Sequence, residues 1–157
     1  MTINGNKFKF TRECFVNNWR DCQSQNFNFK EKSYGFLIEN HNKEILLVKG
    51  KVSGLWGPPK GHKENDEKAI ETAIRETYQE TGIKININDD IYYKCISVGR
   101  VKLFILKINY YPELNIIDNN EIDDCKWFNI KHLYNCNNDE FITFNSPLRT
   151  LIKKKLL

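Results

Sequence analysis

The chain has 157 residues, which suits one compact domain with a real core and would cramp two. Hydrophobic residues make up 40% and charged residues 28%, the balance of an ordinary soluble globular protein. Lysine and arginine outnumber aspartate and glutamate by 24 to 20, and the resulting +4 tolerates an anionic partner without requiring one.

The first stretch, residues 1–32, reads as a short N-terminal extension packing on the main domain of residues 33–157. Within it "TRECFVNNWRDCQ" predicts a helix with Thr11 as N-cap and Phe15, Trp19 and Cys22 on one side. "SYGFLIE" and "KEILLVKG" are apolar runs separated by the turn cluster "NHN", a hairpin pattern. "SGLWGPPKG", rich in glycine and proline, predicts a structured loop. A helix follows over residues 66–81, with Asn65 as N-cap, Asp66 and Glu67 favourable to its dipole, and Gly82 as its stop. "IYYKCISV" and "VKLFILKINYY" predict strands joined through Gly99 and Arg100, "DNNEID" a loop and "CKWFNI" a strand. "SPLRTLIKKKL" predicts a last helix, capped by Ser146 with Pro147 in its first turn. Together these elements predict an α/β sandwich around a mixed sheet.

Five cysteines, Cys14, Cys22, Cys95, Cys125 and Cys136, form no C-x-x-C pair and no zinc spacing. "MTINGNKFKF" lacks a basic-then-apolar leader, and no apolar run reaches transmembrane length. The expectation is free thiols in a reducing compartment: an intracellular, cytoplasmic protein with no membrane partner.

The predicted central helix carries an unusual set of acids. At about 100° per residue, Glu76, Gln79 and Glu80 share one face, while Ile70, Ala73, Ile74, Thr77 and Thr81 form the stripe that meets the core. Like charges one turn apart repel, and a divalent cation between them reverses that sign; hard oxygen ligands suit Mg²⁺. The competing reading is a solvated acidic face on which Glu71 and Arg75 make a plain surface ion pair.

The whole segment "GHKENDEKAIETAIRETYQETGI", Gly61 to Ile83, resembles the Nudix box: a glycine, five residues, a glutamate, seven residues, then R-E-U-x-E-E-x-G-U with U aliphatic. Gly61, Glu67, Arg75, Glu76, Glu80, Gly82 and Ile83 fill its positions. Thr77 replaces an aliphatic residue, and Gln79 replaces the first glutamate of the pair. The resemblance implies the Nudix α/β/α sandwich and a hydrolase of phosphoanhydride bonds that uses Mg²⁺ or Mn²⁺. It implies Glu76, Gln79 and Glu80 as the catalytic metal-binding cluster, a contribution from the Gly61 backbone carbonyl, and Glu67 and Arg75 as supports of the loop-helix geometry. A glutamine at 79 keeps the shape and loses a charge and its basicity. It reads either as native to a site with fewer carboxylates or as an inactivating Glu→Gln substitution, and the second reading is preferred.

The flanks resemble the mRNA-decapping branch of that superfamily. "KSYGFLIENHNKEILLVKGKVSGLWGPPKGH", "NNEIDDCKWFNI" and "SPLRTLIKKKL" match its segments over most of the chain. On this likeness Glu121 falls where the family has a loop carboxylate that completes the metal site or acts as general base; a solvated loop acid is the alternative. The family's separate regulatory domain is replaced by residues 1–32, which implies a minimal or differently regulated version, such as a viral one. Cap recognition stacks a cationic methylated base on aromatic rings. Trp19, Tyr34, Tyr92, Tyr93 and Phe144 are the candidates, each also readable as core, while Trp56 and Trp127 read as packing residues. Lys60, Lys63 and Arg100 near the site, and Lys153 and Lys154 at the chain's end, are candidates for phosphate or RNA contact, with a charged helix end as the alternative for the latter.

"PPKGH" followed by "ETAIRET" also resembles the dinucleoside-tetraphosphate hydrolases, a tighter likeness locally that fades in the flanks. Diphosphoinositol polyphosphates are a third substrate class. A Nudix-fold module that holds a cap or nucleotide without cutting it is the reading from another class.

Overall fold

The computed structural model describes residues 32–86 and 94–157. The predicted N-terminal helix, with Trp19, and the strand residues Tyr92 and Tyr93 lie outside the described residues.

Strands β1 (Ser33–Glu39) and β2 (Glu44–Gly50) form the expected hairpin, antiparallel with Glu39 opposite Ile45. Asn40 closes its turn, its Oδ1 accepting from the backbone N–H of Asn42 at 2.9 Å and of Glu44 at 3.1 Å. Such local bonding is why asparagine favours turns. The glycine- and proline-rich loop holds two short strands: β3 (Trp56–Gly57) pairs with β2, and β4 (Lys60–His62) with β1.

Helix α1 (Ala69–Thr81) starts three residues later than the sequence suggests. Asn65 is not its cap but a left-handed turn residue, φ 49°, and Lys68 takes the cap position. The Glu71 carboxylate reaches back to the Lys68 N–H at 3.0 Å, satisfying one of the helix's orphan donors. At the other end Gly82 stops the helix as expected, with φ 80° and its N–H on the Tyr78 carbonyl at 2.8 Å.

Strands β5 (Lys94–Val98) and β6 (Val101–Lys107) flank the expected Gly99–Arg100 turn, and β6 runs parallel to β1. β7 (Ile122–Asn129) begins earlier than expected and pairs with β2. The sheet order is β3-β2-β1-β6-β5, with β4 on β1 and β7 on β2. Two short helices, α2 (Ile130–Tyr134) and α3 (Asn138–Phe141), carry no clear mark in the sequence. The last helix is α4 (Ser146–Lys153); its cap is Asn145, whose Oδ1 accepts from Leu148 N–H at 3.1 Å, and not Ser146.

Successive side chains of β1 point to opposite faces. Tyr34, Phe36 and Ile38 join Ile70 and Ala73 of α1 in one core layer. Leu37 joins Leu133 of α2 and Leu148, Leu151 and Ile152 of α4 in the other. Both faces are covered, so the strand is apolar without alternation. The result is the expected α/β/α sandwich. Cys125 and Cys136 are free thiols, whereas Cys95, expected to be free, is disulfide-bonded. Among the described residues no helix is long and apolar enough to cross a membrane.

Candidate active site

Glu76 and Glu80 lie one turn apart on α1 and are buried, at 9% and 5% exposure. A solvated acidic face is therefore not what these residues make. Glu80 Oε2 accepts from the Lys60 backbone N–H at 3.0 Å. Pro58 and Pro59 have no N–H, so that of Lys60 is the first donor after them. Glu76 packs on Gly61, where any Cβ would overlap its carboxyl group. β4 thus meets these two carboxylates through one amide and one bare Cα.

Arg75 organises the entrance. Its Nε donates to Glu67 Oε2 at 2.7 Å, its Nη1 to Glu76 Oε1 at 2.9 Å and Gln79 Oε1 at 3.1 Å, and its Nη2 to the His62 carbonyl at 2.8 Å. The surface pair with Glu71 does not form, because Glu71 serves the start of the helix. The Arg75 guanidinium holds the Glu67 carboxyl below its usual range, and Glu67 in turn raises Arg75.

The buried pair behaves differently. Burial pushes Glu80 up to about 8, opposed by the Lys60 amide and furthered by the charges of Glu76 and Glu121. Burial raises Glu76 too, against the pull of Arg75, and Glu121 and Glu64 add to the rise. Glu121 is itself exposed and acts on both carboxylates. Its position depends on the C-terminal end of α1. Asn115 N–H donates to the Thr81 carbonyl at 2.8 Å, and the N–H groups of Ile117 and Asp118 both donate to that of Gln79 at 2.9 Å. Orphan carbonyls of the helix therefore anchor the segment that leads to Glu121. Gly82 is needed there twice, for its positive φ and because a Cβ would come within 2.7 Å of the Asn115 carbonyl oxygen.

The donors suit a hard divalent cation. Glu76 Oε2 and Glu80 Oε1 accept no hydrogen bond from any described residue, and the raised carboxyls ionise more readily beside positive charge. Among the described residues no three His, Cys, Asp or Glu side chains converge as a ready-made cage. The arrangement fits a cation that keeps part of its shell for water and phosphate oxygens. Gln79 is a weaker donor than expected, since its amide oxygen already faces Arg75.

The structure therefore gathers Gly61, Glu67, Arg75, Glu76, Gln79, Glu80 and Glu121. The Lys60 charge also acts on Glu80. Lys63 Nζ sits 5.4 Å over the Tyr34 ring, and Arg100 is exposed in the β5–β6 turn. Lys153 lies over the Phe141 ring at 5.5 Å, and with Lys154 it ends α4, in the layer opposite α1. Two stacking candidates are corrected. Tyr34, at 9% exposure, and Phe144, at 0%, belong to the two core layers and present no free face for a base. Trp127 packs on the core as expected, and Trp56 packs edge-on to Phe128 at 4.9 Å. Sequence reading missed the Lys60 amide, which the preceding prolines mark, and the 115–118 anchor, which no local pattern marks.

The NUDIX domain family matches residues 30–148. The chain is similar to the mRNA-decapping enzyme subunit 2 of Saccharomyces cerevisiae (strain YJM789), 31% identical over 142 residues, which is 81% of this chain and 14% of that protein. It is also similar to the asymmetrical bis(5'-nucleosyl)-tetraphosphatase of Rattus norvegicus, 45% identical over 49 residues, 30% of this chain and 33% of that protein. It thus spans a small part of the curated relatives it matches. A solved Ap4A hydrolase binary complex from C. elegans aligns with a TM-score of 0.58 and 24% identity, covering 80% of this chain and 96% of that one, a likeness of fold. The match of the domain over most of the chain, on a sandwich whose box helix is built as described, makes this protein a member of the Nudix family, hydrolases that act on pyrophosphate bonds.

Proposed function

We propose that this chain is a metal-dependent hydrolase of capped RNA, releasing 7-methyl-GDP and leaving a 5′-monophosphate end. The supporting observation is the extent of the likeness to the decapping subunit, which runs over 142 residues and far beyond the box. Glu76 and Glu80 would hold a divalent ion, Mg²⁺ or Mn²⁺, to which the Gly61 backbone carbonyl would contribute and Gln79 would contribute least. The chemistry such an ion supplies is neutralisation of charge on the phosphate oxygens. Arg75 and Glu67 keep Glu76 in place. Glu121 accepts the proton of the attacking water on a carboxylate oxygen. The water oxygen bonds to phosphorus within the triphosphate bridge, and the bridging oxygen leaves with the other product. Lys60, Lys63 and Arg100 receive the phosphates; Lys153 and Lys154, on the opposite layer, are not assigned to this site.

Hydrolysis of dinucleoside polyphosphates is the second reading, favoured by the 45% identity over the 49 residues around the box. Product analysis separates the two. Cap-labelled RNA and diadenosine tetraphosphate are offered side by side with Mg²⁺ or Mn²⁺, to the protein and to its Gln79→Glu variant. Release of 7-methyl-GDP from long RNA supports decapping, and cleavage of the dinucleotide alone transfers the assignment. No product from either protein leaves a nucleotide-binding module.

A further inference from the structure

With Tyr34 and Phe144 in the core, a base attached to phosphates at Glu76 and Glu80 needs its ring contacts elsewhere. Cys125 and Trp127 of β7 both pack on the core layer that α1 covers. Cys125 is close enough to Glu80 to be raised by its charge, after the larger effects of burial and Asp124. Trp127 lies two residues further along, roughly 7 Å at the rise of a β-strand. Tyr111 stands edge-on to Trp127, ring centroids 6.3 Å apart at 88°. His41, in the β1–β2 turn, packs on Tyr111 at 5.3 Å and 70°. Tyr110 and Tyr111 are 53% and 52% exposed. From them the chain runs on to the 115–118 anchor and to Glu121. An exposed aromatic corner therefore lies on the same face of the sheet as the acidic cluster, further along β2 and β7 towards the β1–β2 turn.

Glu44 gives this corner its chemistry. Its Oε1 accepts from the Tyr111 hydroxyl and from Asn40 Nδ2, each at 3.0 Å, and Asn42 Nδ2 also donates to the Tyr111 oxygen. No described residue donates to Glu44 Oε2. The lysines Lys43 and Lys107 both pair with Glu39, at 3.2 and 3.4 Å, and neither pairs with Glu44. A carboxylate oxygen beside exposed rings suits a base with N–H donors on its edge and positive charge in its ring system. A 7-methylguanine base has both, through N1–H, the exocyclic amine and its cationic imidazolium. Adenine presents an acceptor at N1 and no ring charge.

We propose that His41, Glu44, Tyr111 and Trp127 form a base subsite selective for 7-methylguanine over adenine. The inference rests on the decapping reading, for which it supplies the place of the cap base.

Calorimetric titration of the full chain with 7-methyl-GDP, GDP and ADP tests it without requiring turnover. The expected order is 7-methyl-GDP tightest, with ADP weaker by about tenfold or more. Glu44→Gln removes the preference for 7-methyl-GDP over ADP. Tyr111→Ala, at an exposed position, weakens 7-methyl-GDP by about tenfold through lost stacking, and Tyr111→Phe, which keeps the ring, restores most of that loss. Equal affinity for the three diphosphates, or variants that bind 7-methyl-GDP as the parent does, would overturn the subsite. Decapping combined with such indifferent binding rejects the subsite and leaves the decapping reading intact. Selective binding with no product from capped RNA in either the parent or its Gln79→Glu variant supports the subsite and rejects the hydrolytic reading.

Discussion

Arg75 Nη1 donates to Glu76 Oε1 at 2.9 Å and to Gln79 Oε1 at 3.1 Å, so one nitrogen ties two adjacent members of the acidic helix face together. Gln79 preserves this tie and offers nothing further, because its other terminal atom is an amide nitrogen. A glutamate there would keep one oxygen for Arg75 and present a second, charged one to the cation. Gln79→Glu is expected to raise turnover on the productive substrate by roughly a hundredfold or more. Single-turnover product release at saturating Mg²⁺ or Mn²⁺ measures it. Equal rates in the two proteins would show that position 79 is native to a site with fewer carboxylates.

Gly61 and Glu76 give a second prediction. No Cβ fits at 61 without moving the Glu76 carboxyl. Gly61→Ala should cost about 1–3 kcal/mol of stability from overpacking and disproportionately more activity, because the displaced group is the carboxylate itself. Urea unfolding and a rate assay on the same preparation separate the two effects. A variant matching the parent in both would show that the Glu76 position tolerates displacement.

Thr77 gives a third. It stands where the Nudix box has an aliphatic residue, is fully buried, and its Oγ1 is a buried side-chain oxygen without a hydrogen-bond partner among the described residues. Thr77→Val replaces that hydroxyl by a methyl group of similar size and should stabilise the fold by about 1 kcal/mol. Chemical denaturation would register this as a higher midpoint at unchanged slope. A lower midpoint would mean that the hydroxyl finds a partner in solution.

The residues of the site differ in how openly the sequence announces them. Glu76 and Glu80 come together because residues four apart share a helix face, whatever the rest of the chain does. Their burial is not local; it depends on β4 crossing at Gly61 and Lys60. Glu121 reaches the pair through backbone bonds from residues 115–118 to α1, so only resemblance pointed to it. Tyr34 and Phe144 were candidates because an aromatic residue in a short strand or turn carries no sign of which face a helix will cover. Asn65 and Ser146 failed as caps for a related reason. Asparagine serves turns as well as caps, and at the start of α4 Asn145, an equally good cap, precedes Ser146.

Glu80 supplies a prediction about pH. Its carboxyl titrates near 4.5 when exposed in the unfolded chain and at about 8 in the metal-free fold, chiefly through burial. The folded state therefore binds the proton more tightly, and unfolding releases it between those values. The stability linked to Glu80 is fully present below pH 4.5 and is lost as pH rises to about 8. Glu76 shifts in the same direction and steepens the loss. Thermal melts of the metal-free protein should fall across this window, and Glu80→Gln should flatten the fall because no charge then has to be buried. Millimolar Mg²⁺ or Mn²⁺ should flatten it as well, by binding the ionised carboxylates and drawing their titration downward. If the melts of the parent and of Glu80→Gln run parallel across the window, in both the presence and absence of the ion, then Glu80 is not the buried acid that couples this fold to the cation.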